Sequence, residues 1–232
     1  MVNLVIPPFK QKIGIVIAIH NRYEYLRKFY DSLKASDLSK LDYLIVADDC
    51  SSEKKTIEFV PKFKLLGTDK LKVYLYRNAE NIRIYGTLKK YLDGLLNIGC
   101  TVMGNIDPDC IMNRDWLSSL LDLKSKYPGN IYSAFNTLTK NRHKVLEVKE
   151  DHYIKQSIGG INMLYSNATY VEAIRPSLEE ESRWDCFASK TARRFNKKLI
   201  VTKPSRIQHI GIASAMEHHD EPDIAMDFVQ SR

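Results

Sequence analysis

Thr101-Val102-Met103-Gly104-Asn105-Ile106-Asp107-Pro108-Asp109-Cys110 is the stretch on which the reading of this chain turns. It reads as a short buried strand that ends in two carboxylates separated by one residue. Beyond a strand end the chain is free to turn outward, so both carboxylates can approach one point outside the sheet edge. Pro108 between them removes an N–H and fixes φ, which stiffens the turn. Two hard oxygen donors on a stiff turn suit Mg²⁺ or Mn²⁺, whose remaining positions water and phosphate oxygens can fill. The same residues also make an ordinary surface turn, and Asp-x-Asp is too short a pattern to decide between the two.

Upstream, Ile13-Gly14-Ile15-Val16-Ile17-Ala18-Ile19 is a nearly continuous apolar, β-branched run, the pattern of a parallel strand buried on both faces. Asn21 is placed to cap the following helix, with Glu24 three residues on completing a capping-box-like pair. Leu26, Phe29, Tyr30 and Leu33 then share one helical face. A second buried strand, Tyr43 to Ala47, ends in Asp48-Asp49-Cys50-Ser51-Ser52, and the helix after it is predicted to stop before Pro61. Lys72 to Tyr76 is a third strand. Leu88, Tyr91, Leu92 and Leu95 mark a third helix, which Gly99 ends. Strand and helix alternate through the first 110 residues, so a mostly parallel α/β sheet with right-handed crossovers is predicted. In such sheets ligands sit beyond the carboxyl ends of the strands. Three strands end there in polar residues: His20-Asn21-Arg22, Asp48-Asp49 and Asp107-x-Asp109. A Gly-x-Gly-x-x-Gly loop after the first strand is absent, which disfavours a hydride-transferring dinucleotide fold.

The second half is less regular. A helix carries Trp116, Leu117, Leu120 and Leu121. Short strands are predicted at Ile131 to Phe135, Val145 to Val148 and Ile161 to Tyr165. Asn167 is placed to cap a helix ending before Pro176, and a longer helix from about Trp184 to Phe195 closes at Asn196. Leu199 to Val201 and Arg206 to Ile210 read as strands. The acidic tail from Glu217, with Pro222, is expected to be poorly ordered.

At 232 residues, with 44% hydrophobic and 27% charged residues, the chain has the size and balance of a soluble protein with one sizeable core. It shows no apolar run of membrane-spanning length, and Met1 to Lys12 lacks a signal-peptide core. Cys50, Cys100, Cys110 and Cys186 are widely spaced, which argues against a disulfide framework or structural zinc and fits a reducing, cytoplasmic location. The formal net charge of +7 points to an anionic partner or a lysine-rich solvated surface. The lysines are dispersed, the one compact basic cluster is Arg193-Arg194 with Lys197-Lys198, and no nucleic-acid motif appears. Nucleic acid is therefore not expected as a partner.

Taken in order, these motifs resemble the GT-A-fold glycosyltransferases, especially the inverting family-two-type group that uses nucleotide sugars. Ile17 to Arg22 is similar to that family's opening strand and its Asn-Arg end. Ile45 to Ser52 resembles its second strand with the Asp-Asp turn, and Asp107-Pro108-Asp109 stands where its Asp-x-Asp belongs. Gly159-Gly160 with Asn162 to Tyr165 resembles the acceptor-side segment. Trp184-Asp185, ahead of Phe195-Asn196-Lys197-Lys198, resembles the acidic pair before the last helix, and Ile207 to Gly211 the closing strand with its histidine. The likeness spans about Ile13 to Gly211. It departs from the family pattern at Ala18, His20, Cys50 and Trp184.

The resemblance implies a single Rossmann-like GT-A domain over 1–232. Its mostly parallel central sheet is flanked by helices and carries a small antiparallel acceptor-side part. Residues of about 13–110 would form the nucleotide-sugar half, about 111–211 the acceptor half, and 212–232 a tail. Asp107 and Asp109 would hold Mn²⁺ or Mg²⁺ on the donor diphosphate, with Asp107 alternatively on the ribose and His209 as a further ligand or a satisfied core histidine. Asp49 would accept from the nucleotide base with Asp48 orienting the loop, unless the two merely cap the next helix. His20 would stack on the base. Arg83 and Lys89 would reach the phosphates, Lys90 less so. Asp185 would be the general base, with Trp184 shielding the site and stacking on a sugar ring. The expected substrates are a UDP- or GDP-linked sugar and a saccharide or other hydroxyl acceptor. Other readings stay open: a nucleotidyltransferase acting on sugar phosphates, a retaining transferase of the same fold, or an inactive sugar- or nucleotide-binding module. His218-His219-Asp220 also gathers ligand types, in the tail.

Overall fold

The computed structural model describes residues 11–137, 143–180, 183–211 and 223–230. The β-branched run forms β1 (Ile13–Ile19), buried along its whole length, and the second apolar run forms β2 (Tyr43–Asp48). β3 (Lys72–Arg77) and β4 (Val102–Ile106) complete a parallel set. Parallel neighbours require crossovers. These are α1 (Tyr23–Ala35), α2 (Lys54–Phe59) with a 3-10 continuation over Val60–Leu66, and α3 (Arg83–Asn97). Leu26, Phe29, Tyr30 and Leu33 are the buried face of α1, as their spacing predicts. Gly99, at φ 82°, takes the left-handed turn that ends α3.

After β4 the chain makes β5 (Cys110–Met112), α4 (Trp116–Lys126), β6 (Ile131–Ser133), β7 (Val145–Val148), β8 (His152–Lys155) and β9 (Asn162–Ser166). A continuous helical rod follows: α5 (Asn167–Thr169), a π turn over Tyr170–Ile174, and α6 (Arg175–Ser177). Then come α7 (Trp184–Arg194), β10 (Leu199–Thr202) and β11 (Ile207–His209). The main sheet runs β3-β2-β1-β4-β9-β6-β10-β8-β7, and β11 pairs separately with β5. β9 is inserted antiparallel between β4 and β6, β10 is parallel to β6, and β8 and β7 close the edge antiparallel. The second half thus carries the antiparallel pairings. Helices cover both faces: Phe29, Phe63 and Trp116 pack on one, and Leu92, Tyr170 and Ala188 on the other. No helix among the described residues is long and apolar enough to cross a membrane.

Several local expectations are corrected. Asn21 does not cap α1; it sits at φ 55°, and its Oδ1 accepts from Ser52 and Glu53 N–H at 2.8 Å each. The free N–H of Tyr23 donates instead to Glu53 Oε2 at 2.8 Å, so the cap comes from the neighbouring loop rather than from Glu24. The α-helix from Lys54 does stop before Pro61, at Phe59, but the chain does not leave the helical path. It tightens to 3-10 there, and proline occupies a first-turn position where no N–H is needed. The rod likewise runs through Pro176, because the π turn shifts the hydrogen-bond register just ahead of it. Its start is capped by Ser166 Oγ, which accepts from Thr169 N–H at 3.1 Å, and not by Asn167. The strands β5 and β8 are not among the predicted ones. Lastly, residues 223–230 of the acidic tail pack back on the fold: Ala225 bridges to Thr137 and is buried. Asp227 accepts from Ser205 N–H at 2.9 Å and Tyr153 O–H at 3.0 Å, partners that composition cannot reveal. His218, His219 and Asp220 lie outside the described residues.

Candidate active site

The register decides where the polar strand ends meet. Ile19 pairs with Asp48, and Val16 with Asn105, in parallel ladders, so β1, β2 and β4 finish on one edge of the sheet. His20, Asp49 and Asp107 therefore emerge on a shared rim. Asp49 is the most firmly held. Its N–H donates to Ile19 O at 2.7 Å, and its Oδ1 accepts from Asn78 Nδ2 at 2.9 Å and Ile82 N–H at 3.0 Å. Those bonds shape the loop that leads into α3. Asp48 turns inward: it is buried, accepts from Ser51 N–H at 2.9 Å and pairs with Arg77 at the end of β3. Neither carboxylate caps α2, whose first residue follows Glu53 with no side-chain cap.

His20 stands exposed on the rim, with Nδ1 2.8 Å from Asp49 O. Arg83 opens α3 at φ 65° and is exposed at the same end. Lys89 and Lys90, deeper along that helix, are drawn elsewhere. Lys89 pairs with Glu179 at 2.9 Å, and Lys90 donates to Asn78 Oδ1 at 2.9 Å, joining the network behind Asp49.

On the turn after β4, Asp109 Oδ2 accepts from Arg22 Nη1 at 2.8 Å and lies 3.2 Å from His209 Nε2. Gly211 backs this cluster. A Cβ there would fall 2.4 Å from Asp109 Oδ2, 2.8 Å from Arg22 Nη2 and 3.0 Å from His209 Nε2, so only a residue without a side chain leaves the space. Burial raises the Asp109 pKa, but the His209 hydrogen bond and the His209 and Arg22 charges outweigh it and hold the carboxyl below its ordinary range. Burial and the adjacent Asp109 charge push Asp107 well above its range. His209 is raised: burial opposes its charge, and Asp109 with Asp107 overrides that.

Asp185, in the first turn of α7, comes to the same place from the other half. Its Oδ2 accepts from Gly160 N–H at 3.1 Å, while Asp107 N–H donates to Ile161 O at 2.8 Å. The dipeptide Gly160-Ile161 thus ties the Asp185 carboxylate to the backbone of Asp107, and the Asp185 charge contributes to the rise at Asp107. Asn105 Nδ2 donates to Gly160 O at 2.6 Å and Asn162 Nδ2 to Asn105 O at 3.1 Å, which locks this segment to β4. Trp184 is not an open stacking platform. It is 7% exposed within the apolar cluster, and a Cβ on Gly160 would lie 2.6 Å from its ring.

Two donor atoms at the rim are left without a partner. Asp109 Oδ1 and His209 Nδ1 are buried without a hydrogen-bond partner among the described residues, an arrangement that native interiors avoid. Carboxylate oxygens are donors that Mn²⁺ and Mg²⁺ accept. Among the described residues no group of three or more His, Cys, Asp or Glu side chains stands arranged to hold a metal ion, and Arg22 occupies Oδ2 of Asp109. Arg22, Gly211, Asn105 and Asn162 stand inside the quoted motifs, but motif reading gave none of them a role in the site. Asn105 left a signal: an amide within a buried apolar strand needs partners.

Residues 14–171 match glycosyl transferase family 2, and the chain belongs to that family. Its fold is the GT-A fold. The chain is similar over 86% of its length to GalNAc-T7, in a crystal structure with UDP, GalNAc and Mn²⁺, with a TM-score of 0.67 and 15% identity. It is similar over 82% of its length to a crystal structure of S. aureus TarS 1-349, with a TM-score of 0.58 and 16% identity. It spans 43% and 58% of those chains, less than two thirds of either. No curated protein matches it by sequence.

Proposed function

We propose that this glycosyltransferase moves a sugar from a UDP- or GDP-linked donor to a hydroxyl acceptor, a saccharide in the first instance, by single displacement with inversion. The observation that carries this reading is the shared anchorage of Asp107 and Asp185 on Ile161 and Gly160, at 2.8 and 3.1 Å. It brings the Asp185 carboxylate to the segment bonded to the Asp107 backbone, which supports a base working beside the donor-side acids. Asp107, Asp109 and His209 would hold Mn²⁺ or Mg²⁺, which, when bound, offsets the charge developing on the departing diphosphate. The presence of UDP and Mn²⁺ with the similar GalNAc-T7 fold supports that assignment. Asp49 and the open His20 would receive the base and ribose, and Arg83 the phosphates. Asp185 takes the acceptor's proton as its oxygen attacks the anomeric carbon; the Gly160 and Cys186 N–H groups, at 3.1 and 2.8 Å, aim its carboxylate.

The test is a thermal-shift screen of nucleoside diphosphate sugars with and without Mn²⁺, followed by NMR of the anomeric product. Inversion with a stabilising donor supports the reading. Retention of configuration removes Asp185 from the base role, and stabilisation by sugar phosphates with nucleoside triphosphates would indicate a nucleotidyltransferase.

A further inference from the structure

We infer that Arg22 is a built-in counter-ion that makes cation binding at Asp109 conditional on the donor's diphosphate, an inference that rests on the metal reading above. Arg22 sits at φ 67°, a left-handed conformation disfavoured for a residue with a Cβ, at the start of α1. The backbone is pinned there: Arg22 O accepts from Tyr25 and Leu26 N–H at 3.1 Å each, and Asn21 N–H donates to Ser51 Oγ at 2.8 Å. This conformation sends the guanidinium from the end of β1 across to the turn after β4. It packs 4.6 Å from the Tyr25 ring and donates to Asp109 Oδ2 at 2.8 Å.

The two charges are unequally buried, the Asp109 side chain at 7% exposure and the Arg22 side chain at 30%. Asp109 therefore depends on a positive neighbour, and Arg22 is the more exposed of the two. Nη2 of Arg22 also converges with Asp109 Oδ2 and His209 Nε2 on the small space above Gly211. A guanidinium keeps its charge at every accessible pH. A divalent cation approaching Asp109 alone therefore meets a fixed positive charge, and in a partly buried place that repulsion is weakly screened. A diphosphate reverses the balance. Its oxygens give both Arg22 and the cation an anion to share, so each ligand strengthens the other, and linkage makes the effect reciprocal. Cation and donor then assemble together, and the site does not fill with cation in the donor's absence.

The experiment measures free Mn²⁺ by electron paramagnetic resonance during titration of the intact chain. It is done with Mn²⁺ alone and with pyrophosphate, UDP or GDP present, for wild type, Arg22→Gln and Arg22→Lys. Wild type is expected to bind Mn²⁺ alone weakly and at least about tenfold more tightly with a diphosphate. Arg22→Gln is expected to bind Mn²⁺ alone about tenfold more tightly than wild type and to lose most of the coupling. Arg22→Lys, which keeps the charge, should follow wild type, and a cooperative thermal transition for each variant shows that it is folded. Tighter binding by wild type with diphosphate, but unchanged coupling in Arg22→Gln, overturns this inference alone. Weaker binding of Mn²⁺ alone by Arg22→Gln also overturns it, since the arginine would then only orient Asp109. If wild type takes up no Mn²⁺ under any condition, the metal reading fails and the inference goes with it.

Discussion

The two halves of the sheet hold their site residues in different ways. In the parallel half, β3-β2-β1-β4, carboxylates emerge where strands end, and neighbouring loops of the same half fix them. Asp48 is held by Ser51 and Arg77, and Asp49 by Asn78 and Ile82. In the mixed half, β9-β6-β10-β8-β7, position along a strand does not place the chemistry. Asp185 lies in the first turn of α7 and reaches the rim through Gly160, while His209, on β11 of the separate two-stranded sheet, stands beside Asp109. Topology places the first set and packing places the second. Damage to the first should therefore reach stability and donor binding together. Damage to the second should strike turnover with the fold intact.

The largest effects are expected where that contrast is sharpest. Asp185→Asn should lower transfer by about 10²–10⁴-fold while leaving donor binding near wild type. Asp109→Asn should lose transfer together with metal-assisted donor binding, as read by product formation and calorimetry. Equal loss of donor binding in both variants would erase the distinction between the halves. Next comes the seam. A Cβ at Gly104 would lie 2.3 Å from Met163 O and 3.1 Å from Ile15 Cδ1. Gly104→Ala should therefore destabilise by about 1–3 kcal/mol through forced displacement of β9 from β4. Gly160→Ala pushes on the Trp184 ring instead, and kcat should fall more than the urea midpoint does.

Smaller effects test the supports of each half. Glu53 accepts from Tyr23 N–H at 2.8 Å and from Thr56 Oγ1 at 2.6 Å. Glu53→Ala should cost about 1 kcal/mol, the usual loss of a helix cap, in urea unfolding. The smallest is at the far edge of the mixed half, where Lys126 and His152 meet Asp151 at 2.8 and 2.7 Å. Its pKa is lowered to about 2, first by the Lys126 hydrogen bond and then by that from His152. The folded value lies below the unfolded one, so this contribution is fully present above the unfolded carboxyl value of about 4 and is lost as pH falls toward about 2. Asp151→Asn should thus lower the urea midpoint slightly at pH 7, with the gap closing in acid; a gap that widened would reverse the assignment.

Much of the fold was legible because buried parallel strands and amphipathic helices write their periods directly into the chain, as in Ile13–Ile19 and in Leu26, Phe29, Tyr30 and Leu33. Asp49, Asp107 and Asp109 were legible for the same reason: a polar residue directly after such a run must leave the sheet at its edge. Trp184 misled because a large aromatic beside a carboxylate looks the same in sequence whether its ring is open or pressed against Gly160. Lys89 misled because one helix turn decides whether a lysine faces the rim or Glu179. The Glu53 cap and the packed segment 223–230 were illegible because their partners lie far along the chain.

By its sequence alone this protein was determined to be an alternating α/β chain with acidic strand ends, since hydrophobic period and strand termination are local properties. Only the tertiary structure decided that Arg22 stands on Asp109, that Gly160-Ile161 joins Asp107 to Asp185, and that Gly211 keeps the space between Asp109 and His209 open. Each of those depends on the register of β1, β4 and β9 and on two pinned turns. Contacts of a few ångströms between segments remote in sequence have no local period to announce them.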